Sequence, residues 1–395
     1  MDKARISELK NIYKQELLGN VMPFWERYGI DEEMGGYIHY LGTKGDVLCD
    51  DKNIWVQGRA CWVFSRLYNT VEKRPQWLEY AKLGYEFFRK HGFDERGKMY
   101  FTVTRDGRPL RMRRYYFSET FAIIAAAEYG KAAGDEDAKK FAEELFDTVC
   151  GYYYEPDPEL TPSKVDPVTR PSTGHAVPMI LIATAQVLRE CGAGDAKKYD
   201  KAIAGFIEII LSKFVKRDLK ALLEMSAPDG SVIDTPSGRE INPGHAIETS
   251  WFMMHEGMVQ KDERIIKSAC EILEWSFERG WDEEYGGLLS FVDLKGLPPE
   301  KMEWDMKYWW PHNELIYASL LAYHLTGEDK YERMFERAHE YSFEKFSDPE
   351  NGGWFGYLHR DGSVAMEVKG TMFKGPFHVP RQLLYTWQLL EKMEA

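Results

Sequence analysis

The chain has 395 residues, 44% of them hydrophobic and 14% aromatic, and a formal net charge of −13 at pH 7. The acidic balance argues against a nucleic-acid or anionic-membrane surface, and no apolar run reaches the ~18 residues that a membrane-spanning helix needs. The five scattered cysteines contain no C-x-x-C pair, which argues against a disulfide framework or a zinc site. Reduced thiols of this kind are typical of a cytoplasmic protein.

A short phrase recurs along the chain, and an alternating run and a glycine-containing turn follow each copy. The copies are GIDEEMGGY at 29–37, GFDERGKMY at 92–100, GWDEEYGGL at 280–288 and SDPENGGW at 347–354. Alternation around such a turn predicts a short β-hairpin. A weaker copy at 222–234 and a Pro- and Asp-rich loop at 151–173 complete six units of roughly 60 residues.

Helical patterns of two kinds lie between these hairpins. Residues 331–341 carry one apolar stripe, which is typical of an outer helix with a solvated face. The run ELIYASLLAYHL is apolar nearly all round, which is typical of a buried inner helix. Length and unit count favour closure over an open solenoid, so we predict an all-α fold, an (α/α)6 barrel with short β-hairpins in its connecting loops. No linker composition divides the chain, and residues 1–395 are predicted to form a single domain.

Histidines recur at the predicted starts of inner helices. In NPGHAIETSWF, at 242–252, a Pro-Gly turn presents His245, and Glu248 follows one helical turn later. His312 and His378 repeat this arrangement after a further 67 and 66 residues. In a closed ring the helix starts converge on one mouth of a central cavity. The residues predicted at this mouth are Arg59, Glu119, His175, His245, Glu248, His312, Glu314, His378 and Arg381, with Trp55, Trp251, Trp309 and Trp310 as walls. Such a cleft suits a hydroxyl-rich ligand such as a sugar.

The same residues also allow simpler, structural interpretations. A single histidine at a helix start is usually structural, and some of the tryptophans belong to the core. The basic run 111–114 is either a solvated loop or a place that helps to hold an anion. His245 and Glu248 have a spacing compatible with a metal, but one such pair is weak evidence and no metal site is predicted. A glycoside hydrolase would instead use two carboxylates from the mouth, and a sugar-binding protein without catalysis would leave the paired histidines unexplained.

Four segments together resemble the N-acylglucosamine 2-epimerase family: FTVTRDGRPLRMRRYYFSETFA, GREINPGHAIETSWF, KYWWPHNELIYA and KGPFHVPRQLL. The resemblance extends over almost the whole chain. It implies an (α/α)6 barrel that interconverts N-acetylglucosamine and N-acetylmannosamine, with His245 and His378 as acid and base. Cellobiose 2-epimerases and mannose isomerases are related members and supply the alternative activities. The predicted substrate-binding residues are Arg59, Glu119, Arg239, Glu248, Trp309, His312, Glu314 and Arg381.

The chemistry of C2 inversion agrees with two histidines. The open-chain sugar must lose a weakly acidic proton from one face and receive one on the other, and imidazole can do either near neutrality. One histidine that moved the proton from C2 to C1 would instead produce a ketose. No redox or metal cofactor is required. The resemblance leaves open a homodimer and ATP as an allosteric activator, although residues 155–173 contain no phosphate-binding loop.

Overall fold

The computed structural model describes residues 1–395, which form helices in two concentric layers. In chain order the helices are α1 (Lys3–Gln15), α2 (Met22–Tyr28), α3 (Ile54–Thr70), α4 (Pro75–His91), α5 (Phe117–Ala133), α6 (Glu136–Tyr154), α7 (Ala176–Cys191), α8 (Ala196–Ile209), α9 (Pro243–Gln260), α10 (Glu263–Gly280), α11 (Trp309–Thr326), α12 (Asp329–Lys345) and α13 (His378–Glu394). Helices α3, α5, α7, α9, α11 and α13 form the inner layer. The others form the outer layer, in which a π-helical turn (Glu16–Val21) joins α1 to α2. The predicted (α/α)6 barrel is confirmed.

The sequence explains which helices lie inside. Helices α5 and α11 are buried around most of their circumference, as their nearly continuous apolar runs require. Helices α10 and α12 bury only one stripe and expose charged side chains on the other face. Helices α5 and α11 each end at a left-handed glycine, Gly134 (φ 67°) and Gly327 (φ 70°), which allows the chain to turn back into the outer layer.

Very short strands cap one end of the ring. They are β1 (Tyr40–Leu41), β2 (Val47–Cys49), β3 (Lys52–Asn53), β4 (Thr102–Val103), β5 (Pro109–Arg111), β6 (Thr173–Gly174), β7 (Val215–Lys216), β8 (Ala221–Leu222), β9 (Met225–Ser226), β10 (Glu240–Ile241), β11 (Val292–Asp293), β12 (Lys307–Tyr308) and β13 (Tyr357–Leu358). Local hairpins form at β1–β2, β4–β5 and β7–β8, whereas β3–β4, β6–β9, β10–β11 and β12–β13 connect more distant parts of the chain. All these pairs are antiparallel. The predicted local pairing is therefore partly replaced by pairing between units, because strands of two or three residues are not stable alone.

The recurring sequence phrase builds a buried ion pair in three of the units. Its aspartate accepts a hydrogen bond from a lysine that follows about 20 residues later and is equally buried. The pairs are Asp31–Lys52 (2.8 Å), Asp282–Lys307 (3.1 Å) and Asp348–Lys369 (2.8 Å). The phrase thus fixes each turn to the segment that leads into an inner helix, which is a structural role.

The first helix closes the ring. The Arg5 guanidinium donates to both carboxylate oxygens of Glu336 in α12 (3.0 and 2.6 Å), and the Tyr13 hydroxyl lies 3.0 Å from His339 Nδ1. In the inner layer the Trp62 ring of α3 packs edge-on against Tyr385 of α13. One apolar core of 89 buried residues consequently extends from Ile6 to Leu390. None of the helices combines the length and the hydropathy needed to cross a bilayer.

Candidate active site

The first turns of the inner helices surround a cavity of about 270 Å³ at the end of the ring that carries the strands. This volume is near the lower limit for small-molecule sites, which suits a monosaccharide. The ionisable side chains of its lining are Arg59, His245, Glu248 and His378, and aromatic rings supply much of the remainder. Few polar groups in an aromatic cleft can orient a sugar while its hydrocarbon faces stack on the rings.

His245 lies in the first turn of α9, and the Asn242 side chain caps this helix by accepting from the His245 amide (3.1 Å). Its imidazole Nδ1 lies 3.0 Å from Glu224 Oε2, and its ring packs on Trp310 with the centroids 5.1 Å apart. Burial lowers the pKa of His245, but the carboxylates of Glu224 and Glu248 outweigh it and raise this pKa above 6.5. The imidazolium form of His245 is therefore more stable than that of a free histidine side chain.

Glu224 is a site residue that the sequence analysis missed. It precedes β9, in the weak hairpin copy, and no pattern around it indicates a function. Burial would raise the pKa of Glu224, but His245 and His175 hold it well below its ordinary value. Glu224 Oε1 lies 3.4 Å from His175 Nδ1, and His175 Nε2 lies 2.9 Å from the Thr249 hydroxyl. His175 thus contacts Glu224 from the side opposite His245, behind the cavity wall.

His378 is the first residue of α13, and its environment shifts its pKa in the direction opposite to that of His245. Its Nδ1 lies 2.7 Å from Glu314 Oε1. Since a carboxylate only accepts, this contact places the proton on Nδ1 and leaves the Nε2 lone pair free. Burial, together with the guanidinium groups of Arg381 and Arg59, lowers the pKa of His378 well below 6.5. His378 is therefore neutral at physiological pH.

Arg381 connects the two carboxylates beside His378. One of its nitrogens, Nη2, donates to Glu248 Oε1 and to Glu314 Oε1, both at 2.7 Å. Trp251 Nε1 donates to the other oxygen of Glu314 (2.7 Å). Glu248, Glu314 and His378 also offer ligand atoms within 4.8 Å of one another, a spacing that could hold a metal ion. The guanidinium already supplies a cation to both carboxylates at this position.

Arg59 points into the cavity without a carboxylate partner. Its guanidinium lies on the face of Phe121 (4.0 Å to the ring centroid) and donates to the Phe373 carbonyl oxygen (3.3 Å). Its Nε is buried and has no hydrogen-bond partner. Burial lowers the pKa of Arg59 to about 9, so it is still charged at neutral pH. Arg59 is the donor best placed to contact an oxygen of a ligand.

The structure places Glu119, Arg239 and His312 away from the cavity, contrary to their predicted substrate-binding role. Glu119 Oε1 accepts from the Met99 amide (2.9 Å), and His312 Nε2 accepts from the Leu288 amide (2.8 Å). Both side chains thus anchor the residue that follows the turn of their own unit. Arg239 donates instead to Asp234 (2.8 Å) and Asp293 (3.0 Å).

Gln57 shows why a polar residue that recurs at the starts of inner helices need not bind substrate. Its Oε1 accepts from the Tyr37 amide (2.7 Å), just as Glu119 and His312 accept from the corresponding amides of their units. An acceptor at this position satisfies a buried backbone N–H, which is costly to leave unpaired. The other substrate-binding predictions differ from these: Glu248 and Trp309 line the cavity with Arg59, and Glu314 and Arg381 lie directly behind His378.

A family model described as N-acylglucosamine 2-epimerase (GlcNAc 2-epimerase) matches residues 36–377. The chain belongs to the N-acylglucosamine 2-epimerase family. Within this family, it is 37% identical over 388 residues to the N-acylglucosamine 2-epimerase of Bos taurus, covering 95% of this chain and 90% of the relative. It is 36% identical over 400 residues to the Homo sapiens N-acylglucosamine 2-epimerase, covering 99% and 92%.

The barrel also resembles solved structures. The cellobiose 2-epimerase from Spirochaeta thermophila superposes with a TM-score of 0.83 at 21% identity, covering 99% of this chain and 98% of that chain. At this identity the likeness shows the fold alone. The family resemblance expected from the sequence segments and the barrel architecture are both confirmed.

Proposed function

We propose that this member of the N-acylglucosamine 2-epimerase family interconverts N-acetylglucosamine and N-acetylmannosamine by inverting C2. One observation carries the proposal: His245 and His378 face the same cavity from different units, and their pKa values are shifted in opposite directions. A pair of titratable groups with separated pKa values is the arrangement that an acid and a base require. The names of the mammalian relatives support the choice of an N-acyl sugar.

Neutral His378 acts as the base for the epimer whose C2 hydrogen faces it. Its Nε2 takes the C2 proton, the C–H electron pair forms the C1–C2 double bond, and the carbonyl π electrons move to the C1 oxygen. Arg59 donates to this developing enolate oxygen. Imidazolium His245 then gives its proton to C2 on the opposite face. The reverse reaction exchanges the two roles.

The carboxylates behind the histidines position them. Glu224 and Glu314 each engage an Nδ1 atom, so that Nε2 of each ring is the nitrogen that exchanges protons. Arg381 neutralises the charge of Glu314 and Glu248 and so helps to keep His378 unprotonated. The predicted acid and base roles of His245 and His378 are thereby retained, and Glu224 is added as a positioning residue.

The proposed reaction needs no redox or metal cofactor, because the sugar and the protein exchange only protons. We assign the whole chain, residues 1–395, to one catalytic domain, supported by the apolar core that extends from Ile6 to Leu390. Activation by ATP, a homodimer and a cytoplasmic location remain predictions from the sequence.

Incubation with N-acetylmannosamine in D2O, followed by NMR, tests the function. We expect N-acetylglucosamine to appear with deuterium at C2. A ketose product would instead assign the protein to the isomerases. Cleavage of an oligosaccharide without exchange at C2 would make it a glycoside hydrolase on the same fold.

A further inference from the structure

Three arginines beside the cavity mouth have no carboxylate partner. Arg111, Arg113 and Arg114 belong to β5 and the segment that leads into α5. Arg111 donates to the Met372 sulfur (3.7 Å) and lies 5.5 Å from the Phe101 ring centroid, and Arg114 donates to the neighbouring Tyr115 hydroxyl (2.6 Å). The Nε atoms of Arg113 and Arg114 are buried and have no partner. This is unusual in a chain with 64 acidic residues and 51 basic ones.

Three other arginines at the same end of the ring are paired with carboxylates, whereas Arg59 inside the cavity is not. Arg105 donates to Asp31, Arg360 to Asp282 and Arg239 to Asp293. At this end of the ring, therefore, an aspartate often balances the positive charge of an arginine. The segment with Arg111, Arg113 and Arg114, which we call the arginine rim, is therefore an uncompensated positive cluster.

Aromatic rings connect the arginine rim to the cavity. The Arg113 guanidinium lies 3.9 Å from the Phe101 centroid, 5.7 Å from Trp55 and 5.4 Å from Phe373. Trp55 and Phe373 both line the cavity. The charge thus lies one aromatic side chain away from a bound sugar. Stacking holds a guanidinium flat and leaves its N–H edge free to act as a fork.

Positive charges that lie close together repel one another, and burial further destabilises the charged form of a guanidinium. Burial, Arg111 and Arg114 all lower the pKa of Arg113. An anion with several oxygens would offset this repulsion. A guanidinium fork binds phosphate oxygens in a bidentate manner.

We propose that the arginine rim binds a phosphate-type oxyanion at the mouth of the cavity. The neutral substrate of the proposed epimerase reaction leaves these charges unused. C1 and C2 of the open-chain sugar must reach the histidines, and C6 is the carbon farthest from them. The oxyanion is therefore either a phosphate on the distal end of the sugar or a separate anion that binds beside it.

Calorimetric binding at constant ionic strength tests this site. The probes are inorganic pyrophosphate and N-acetylmannosamine 6-phosphate, and the proteins are the wild type, Arg111→Gln/Arg113→Gln and Arg333→Gln. Arg333 is exposed on α12, and Arg333→Gln removes one positive charge far from the cavity, as the single variant Arg111→Gln does at the rim. We expect binding of at least one probe to weaken on the order of 10-fold or more in the rim variant and to persist in Arg333→Gln.

The two probes separate the sources of the phosphate. Tighter binding of the sugar phosphate than of N-acetylmannosamine would place the anion on the substrate. Pyrophosphate binding that persists in saturating N-acetylmannosamine would indicate a separate anion. Equal binding by wild type and rim variant, an equal loss in Arg333→Gln, or no binding by the wild type at millimolar concentrations would overturn the proposal.

A thermal unfolding scan verifies that the rim variant is folded. If it is not, Arg111→Gln alone serves as the variant, because this side chain is exposed. Binding is measured without turnover, so failure here is distinguishable from failure of the proposed epimerase function.

Discussion

The two histidines proposed as acid and base differ because each has a different set of charged neighbours. His245 lies beside Glu224, which favours its protonated form, whereas His378 is buried next to Arg381 and Arg59, which disfavour it. Two imidazoles with the same intrinsic chemistry thus acquire the separated pKa values that the proposed acid and base require.

The pH profile of kcat/KM should be bell-shaped, with pH 6.5 between its two limbs. Activity falls below the lowered pKa of His378, where the base is protonated, and above the raised pKa of His245, where the acid loses its proton. The opposite epimer reacts with the form in which His245 is neutral and His378 is protonated. This form carries the same number of protons as the other, so its population varies with pH in the same way. Both directions should therefore give the same two limbs in an assay of initial rates, and a profile with a single limb would contradict the assignment.

Glu224→Gln should move one limb of that profile. Glutamine keeps the size of the side chain and removes the charge that raises the pKa of His245. We expect the alkaline limb to shift to lower pH while the acidic limb stays in place. The exposed Glu278→Gln on α10 should leave both limbs unchanged. A uniform loss of activity without a shift would show that Glu224 acts only through packing.

His245→Asn and His378→Asn should each reduce kcat by a factor on the order of 10²–10⁴, the usual contribution of a general acid or base. Each variant should retain C2 exchange in D2O from only one epimer, the one whose hydrogen faces the remaining histidine. The exposed His324→Asn at the end of α11 is the matched control.

His312→Asn separates catalytic from structural histidines. The shorter side chain cannot keep the contact with the Leu288 amide, so we expect a lower melting temperature with little change in turnover at low temperature. Normal stability combined with abolished turnover would move the second base from His378 to His312.

At the scale of elements, periodicity predicted the inner and outer helices because burial on all sides and burial on one side leave different patterns in sequence. Strand pairing was predicted less well, since β10–β11 and β12–β13 join segments about 50 residues apart. The same limit applies to the site. A first-turn position shows that a side chain is near the mouth but not whether it points into the cavity. The spacing alone therefore did not separate His378 from His312, and only the family resemblance gave His378 the catalytic role.

The recurring Asp–Lys pair provides a prediction at this scale. Asp282→Asn should destabilise the protein by about 3–5 kcal/mol, because Lys307 would remain buried without its carboxylate. Burial raises the pKa of Asp282, but Arg360 and Lys307 outweigh it and lower this pKa from 3.8 to about 2. The contribution is complete above 3.8 and is lost as pH falls toward about 2, so the two proteins should converge in acid.

Urea unfolding of Asp282→Asn and Glu283→Gln measures this difference. Glu283 pairs with Arg337 at the surface, where its side chain is 75% exposed, and its loss should cost only about 0–1 kcal/mol. Equal costs for the two variants would mean that the buried pair adds nothing beyond a surface pair.

At the scale of the whole molecule, closure by α1 predicts that the ring unfolds as a unit. Leu9→Ala removes a completely buried side chain from the closing helix and should cost about 2–5 kcal/mol. Loss of helicity and loss of activity should then occur at the same lower temperature, because an open end is absent. Exposed Lys3→Ala is the control. Separate melting of α1 with retained activity would instead indicate an array with loosely attached ends.

All six inner helices begin at the mouth of the cavity, and four of them, α5, α7, α11 and α13, have no side-chain cap there. The aligned peptide dipoles place about half a positive charge at each helix start. An enolate formed in the cavity would therefore lie in a field produced by the backbone of the entire ring. Substitution of Arg59 removes one donor but leaves this field intact. Part of the stabilisation of the intermediate is thus a property of the topology, which no single side-chain substitution can delete.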